Sequence, residues 1–212
     1  MLNIYVYVLD TLADWELGYI VAELNSGRFF KKDAPCVSLT TVSYSDEPIT
    51  TMGGITIVPH CLIDDIVMEK TSTLLLPGAD TWSRPEHEAI IEKAAGLLSV
   101  GATVCAICGA TTALANVGLL DNRPHTSNGP GFLEMFSPGY KGQGFYVDKL
   151  SVADGNLITA ACTGALLWTR DIIEHVGVFE ASTMEAWYKY FSTGESDHFY
   201  ALMQTLETED EG

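Results

Sequence analysis

From Ala94 to Leu120 the chain runs 27 residues without a charged side chain, and Cys108 stands in the second half of that run. Few folds accommodate such a stretch. A membrane span needs about 20 apolar residues. Here, however, Gly96, Gly101, Gly109, Gly118, four serines or threonines and Asn116 interrupt the run, and no basic residue follows until Arg123. That composition suits a buried strand leading into a buried helix. Ala102-Thr103-Val104-Cys105-Ala106-Ile107 reads as the strand, and Gly109-Ala110-Thr111-Thr112-Ala113 supplies small residues directly after Cys108. A strand that stops at one reactive side chain, with a helix starting at once, is the pattern of a nucleophile elbow. The cramped turn leaves no room for bulk. The competing reading is an inert core cysteine, because free cysteine is among the most buried residue types.

The rest of the chain alternates strand and helix patterns. Asn3–Leu9, Cys36–Tyr44, Thr73–Leu76, Phe145–Val147, Leu150–Ala153 and Leu157–Ala160 read as strands, with Asp154-Gly155-Asn156 as a tight turn between the last two. Ile49–Val58, with Gly53-Gly54 at its middle, reads as a hairpin. Asp14–Arg28, Glu86–Ser99, Leu166–Val176, Ser182–Phe191 and a segment near 199–206 have helical spacing, with Asp14 as the expected N-cap of the first. Short strands between longer helices predict a mostly parallel sheet covered on both faces, a three-layer α/β sandwich. The 212 residues are expected to form one domain, 1–212, ending in a short acidic tail from about 207. In such sheets the site lies at the carboxyl ends of the strands. Glu16, Gly78 and Cys108 all follow predicted strand ends.

The charge balance of 11 basic against 28 acidic residues, net −17, repels phosphate backbones, so no nucleic-acid partner is expected. The start of the chain carries no charged-then-apolar leader pattern, which predicts a cytoplasmic protein with no membrane partner. The five cysteines lack a scaffold spacing and are read as thiols. Cys105 and Cys108 form C-x-x-C, but within a strand rather than at a helix start, so a redox pair is not favoured. No His, Cys and Asp spacing suits a metal, and the glycines form no phosphate-cradling motif. Neither a metal nor a cofactor is expected.

Four pieces in order, Asp14-Trp15-Glu16-Leu17, Leu75-Leu76-Pro77-Gly78-Ala79, Ala106-Ile107-Cys108-Gly109-Ala110 and Asp154-Gly155-Asn156-Leu157-Ile158-Thr159, resemble the PfpI-like intracellular protease/amidase family. That family lies within the class I glutamine amidotransferase-like superfamily, alongside the parkinsonism-associated protein deglycase. The resemblance covers roughly 3–177. It implies a flavodoxin-like fold and a homodimer. It implies Cys108 as nucleophile, its thiol pKa lowered at the following helix start, with Glu16 as protonated partner sharing one proton. It also implies Gly78 and Gly109 as oxyanion-hole N–H donors. The PfpI-type histidine directly after the nucleophile is absent, since Gly109 stands there. His125 is the expected substitute, placed like a histidine that deglycase-like relatives carry at the end of the next strand. His60, His87, His175 and His198 are read as structural or exposed. Asp80 and Trp82 are read as pocket-lining or surface loop residues, while Trp168, Trp187 and Tyr188 are read as core or subunit-contact aromatics. The implied activity is a cysteine-dependent hydrolase or lyase acting on a small amide or reactive carbonyl. The alternative is a cysteine-based oxidative or carbonyl-stress sensor without turnover. Glutamine amidotransfer is disfavoured, because His175 is followed by Val176 and Gly177 rather than an acid.

Overall fold

In the computed structural model, residues 1–210 are described, those from 207 onward as backbone only. The elements are β1 (Leu2–Tyr7), α1 (Asp14–Ser26), β2 (Val37–Ser43), β3 (Ile49–Thr50), β4 (Thr56–Ile57), β5 (Cys61–Leu62), β6 (Ser72–Leu76), α2 (Glu88–Ser99), β7 (Thr103–Ile107), α3 (Ala110–Asn116), α4 (Phe132–Phe136), β8 (Ser151–Asp154), β9 (Leu157–Ala160), α5 (Ala165–Val176), α6 (Ala181–Thr193) and α7 (Ser196–Asp210). Among the described residues seven strands form one sheet in the order β5-β2-β1-β6-β7-β9-β8, parallel except for β8. β3 and β4 make the separate hairpin expected around Gly53-Gly54.

The central strands β1, β6, β7 and β9 carry Ile4, Val6, Leu74, Leu75, Leu76, Val104, Cys105, Ala106 and Ile158, all buried. A parallel sheet covered on both faces needs such unbroken apolar runs. The chain steps one way from β1 through α1 to β2, and the other way from β6 through α2 to β7. Right-handed crossovers in opposite directions place α1 and α2 on opposite faces. The order reverses between β1 and β6, so the loops after β1, β6 and β7 open into one crevice.

Two sequence expectations are corrected. Asp14 is the first helical residue rather than the N-cap, which is Ala13. Its carboxylate instead accepts the Gly53 N–H at 2.7 Å, tying the β3–β4 hairpin to α1. The segment 145–147 is no strand: Gln143–Phe145 is a 3-10 turn, and Tyr146 makes a single parallel bridge with His125. The acidic tail continues α7 as helical backbone to Asp210, while 211–212 lie outside the described residues. Trp168 and Trp187 are fully buried core residues, and Trp187 Nε1 donates to the buried Glu23 carboxylate at 3.0 Å. Among the described residues no helix is long and apolar enough to cross a membrane.

Candidate active site

β7 runs fully buried into Cys108, whose N–H donates to Ala160 O of β9 at 2.9 Å. Cys108 then turns to φ +56°, one of two non-glycine residues with positive φ among the described residues. A side chain in that region costs on the order of 1–3 kcal/mol, held only where surrounding structure enforces it. Here Thr111 enforces it, donating its N–H (3.1 Å) and its hydroxyl (2.6 Å) to Cys108 O. A Cβ on Gly109 would stand 3.0 Å from Ala79 O and 3.4 Å from Trp82 Cδ1, so the residue after Cys108 has no room for a side chain without displacing the facing loop. The elbow is therefore present as the small residues around Cys108 imply.

Glu16 lies in the first turn of α1 and is fully buried, while Trp15 beside it is exposed. Its Oε2 accepts the Gly78 N–H at 2.6 Å. Its Oε1 is buried with no hydrogen-bond partner and faces the Cys108 side chain across Gly78. A Cβ on Gly78 would lie 2.7 Å from Cys108 Cβ and 2.8 and 2.9 Å from the two Glu16 oxygens. Glycine at 78 is thus required by close approach. Gly78→Ala is expected to lower stability by about 1–3 kcal/mol through overpacking and to push Glu16 off Cys108. A denaturant titration beside a Cys108 alkylation rate checks both effects.

The assignment of Gly78 to the oxyanion hole is corrected by the same bond, because its N–H already belongs to Glu16. Ala79 N sits 3.5 Å from where a Gly109 Cβ would be, and no other group engages its N–H among the described residues. The Gly109 N–H favours the ionised form of the Cys108 sulfur. Ala79 and Gly109 both line the cleft and carry backbone N–H groups without a hydrogen-bond partner among the described residues, one residue along from the expected pair on the first side.

His125 does not reach Cys108. It is buried, with Nδ1 bonded to Arg123 O at 2.8 Å and Nε2 to Tyr140 Oη at 2.6 Å. A carbonyl only accepts, so Nδ1 carries the proton and Nε2 accepts from the tyrosine. Burial holds the imidazole below its ordinary pKa and pushes the Tyr140 hydroxyl up to about 12. Both ring nitrogens are committed to holding the 121–147 segment in place. The side chain that points back to the sulfur is Asn128: its Nδ2 donates to Cys108 Sγ at 3.2 Å, and its Oδ1 accepts the Cys162 N–H at 2.9 Å. The backbone donor fixes which end of the amide is oxygen, so the NH₂ must face the sulfur.

The cleft above Cys108 holds about 420 Å³; Trp15, Met52, Trp82, Phe132 and Phe136 supply its apolar wall, Ser83, Thr112 and Asn128 its polar groups, and Asp80 is the one charged residue among the described residues that line it. Trp82 is buried and its Nε1 donates to Pro77 O at 2.9 Å, so it braces the Gly78 turn as well as lining the cleft. Asp80 is exposed, and its N–H is taken by Thr11 Oγ1 at 2.9 Å.

Burial lifts the Glu16 carboxyl to about 7, against the pull of the Gly78 N–H and the thiol. Burial also lifts the Cys108 thiol, to about 12; the Glu16 charge adds to the rise, while the Asn128 amide and the Gly109 N–H oppose it. The expected lowering by the helix start is thus overruled: α3 spans 7 residues, and desolvation outweighs it. The carboxyl therefore gives up its proton first, near neutrality, while burial keeps the thiol protonated. Among the described residues no group of three His, Cys, Asp or Glu is placed to hold a metal ion.

The sequence pattern of the DJ-1/PfpI family matches residues 2–175, spanning every element of this site. The chain belongs to the DJ-1/PfpI family. Within it, the chain is similar to a Bacillus subtilis (strain 168) protein named "Uncharacterized protease YoaZ", at 41% identity over 96% of this chain and 97% of that one. A thiJ/pfpI family protein from Bacillus anthracis has a crystal structure that superposes with TM-score 0.93 at 42% identity, covering 95% of each chain. Drosophila melanogaster DJ-1beta shares the fold at 18% identity, with TM-score 0.62 over 97% of both chains. For this DJ-1/PfpI member, sequence reasoning missed Asn128 and Ala79. The available signal for Asn128 was its place before Gly129-Pro130, where a turn ends the segment running back toward the sheet.

Proposed function

We propose that the chain is a cysteine-dependent enzyme that adds Cys108 to a small, uncharged, reactive carbonyl compound, with Glu16 as the proton carrier at the reacting atoms. The observation that carries this reading is the buried Glu16, with one oxygen unpartnered against the strained Cys108 and a pKa near 7. A general base is most effective when its pKa lies near the working pH.

In the first step ionised Glu16 takes the thiol proton as Cys108 Sγ bonds to the carbonyl carbon. The carbonyl π electrons move to oxygen, where the Gly109 and Ala79 N–H groups hold the charge. Glu16 then returns the proton to that oxygen. No leaving group departs, so a single carboxyl suffices. With an adjacent second carbonyl, the same carboxyl can carry a proton from the adduct carbon to its neighbour. This leaves a thioester that water cleaves to a hydroxy acid and free Cys108. Amide hydrolysis is more demanding, because the departing amine needs its own acid, and no histidine contacts the sulfur among the described residues. The apolar cleft, with Asp80 as its one charge, favours neutral substrates over anions. The protease name of the Bacillus subtilis relative keeps small amides as the competing substrate class.

The test is a turnover panel of small dicarbonyls, simple aldehydes, small amides and unfolded peptides, with and without prior alkylation of Cys108. Multiple turnovers on dicarbonyls that vanish on alkylation are expected. Turnover on amides alone would replace the carbonyl reading, and no turnover on any class would remove the enzyme reading.

A further inference from the structure

Cys162 lies just beyond the last residue of β9, and its surroundings connect it to the nucleophile. Ile107 pairs with Ala160 across β7 and β9, and Cys108 N–H donates to Ala160 O. After Ala160 the chain turns through Ala161 into the 3-10 turn Cys162–Gly164. One carboxamide, that of Asn128, spans the gap, touching Cys108 Sγ at 3.2 Å with its nitrogen and the Cys162 N–H at 2.9 Å with its oxygen. The register that pairs Ile107 with Ala160 carries Cys108 opposite Ala161, one residue short of Cys162, so the two cysteines leave neighbouring strands at the same end of the sheet. A charge on Cys162 is felt at Cys108 and raises its pKa. Both thiols are free and partly accessible, whereas Cys105 is sealed in the core, where burial raises its pKa and leaves it inert.

We propose that Cys162 is the resolving thiol of Cys108: when a hydroperoxide oxidises the nucleophile, Cys162 closes a reversible intrachain disulfide that caps it. The inference rests on Cys108 being the reactive thiol of the proposed site. In the first step the Cys108 sulfur, having lost its proton, attacks the outer peroxide oxygen. The O–O bond breaks, and the inner oxygen leaves with the electron pair and takes up a proton, giving an alcohol, or water from hydrogen peroxide. Cys108 is left as a sulfenic acid. The Cys162 sulfur then bonds to the Cys108 sulfur as the S–O bond breaks, and the departing hydroxide takes the Cys162 proton to leave as water. Two thiols are oxidised by one peroxide. Asn128 must swing out of the gap for the sulfurs to meet, so capping also breaks the amide clamp on the nucleophile.

The experiment treats the native chain with at least two equivalents of hydrogen peroxide or cumene hydroperoxide, enough to carry an uncapped thiol to sulfinic acid, blocks remaining thiols with iodoacetamide and maps peptides without reductant. A peptide joining Cys108 to Cys162, lighter by two hydrogens and released by dithiothreitol, is expected to hold most of the Cys108. In Cys162→Ser the joined peptide is absent, and Cys108 gains two oxygens instead as sulfinic acid. If Cys108 is alkylated readily in the reduced native chain yet reaches sulfinic acid equally in wild type and Cys162→Ser, with no joined peptide, the capping role is overturned while the nucleophile stands. If Cys108 resists iodoacetamide in the reduced native chain, both readings fall.

Discussion

Cys108→Ala is expected to lower kcat/KM on the accepted substrate by at least about 10⁴-fold while leaving the fold intact. Removing a covalent nucleophile costs on this order, because the remaining groups act only through it. The substitution keeps a Cβ at a corner that already accommodates one, and the Thr111 and Ala160 hydrogen bonds involve only the Cys108 backbone. Circular dichroism should therefore match wild type while turnover disappears. Residual turnover within tenfold of wild type would show that the sulfur is not the reacting atom.

Glu16→Gln is expected to lower kcat/KM by about 10²–10⁴-fold and to remove the pH dependence near neutrality. In the wild type, kcat/KM should rise with pH through about 7, as Glu16 becomes able to accept the thiol proton. Glutamine can still accept the Gly78 N–H, so geometry is largely kept and the loss reports on proton transfer. Stability gives a second reading with a definite sign. The folded carboxyl holds its proton up to about 7, whereas the unfolded one releases it near 4.5. Between those values the folded chain binds the extra proton, so unfolding free energy should fall as pH rises across the window. That slope should be absent in Glu16→Gln. A pH–rate profile flat through neutrality in the wild type would remove Glu16 from the chemistry.

The parts of the site legible in the sequence are those that sit within a few residues of a regular element. Cys108 follows an unbroken apolar strand and precedes small residues, and Glu16 falls in the first turn of a helix after β1. In both cases local pattern and position in a parallel sheet coincide. Asn128 escaped because the 121–147 segment is held together by side-chain and loop bonds, such as His125 to Tyr140 and Arg123 to Asp154, that no periodicity records. His125 stands near the right place in the sequence, but its ring is occupied in bracing the loop. Gly78 and Ala79 show the same limit on a finer scale. The Pro-Gly turn is plain in the sequence, but which of two neighbouring N–H groups faces the cleft depends on Glu16 arriving from 62 residues earlier. The same holds for the thiol pKa, where helix polarity is readable from sequence and burial is not.

The bond from Cys108 N–H to Ala160 O carries a timing consequence. During synthesis, β1, β6 and β7 can all emerge and pair before β9 exists, and until β9 docks the corner at 108 lacks one of its restraints. An unfinished or truncated chain thus leaves residue 108 without the partner that helps hold its positive φ. The strained corner is completed only when the downstream strand locks in, so its geometry reports that nearly the whole sheet has been built.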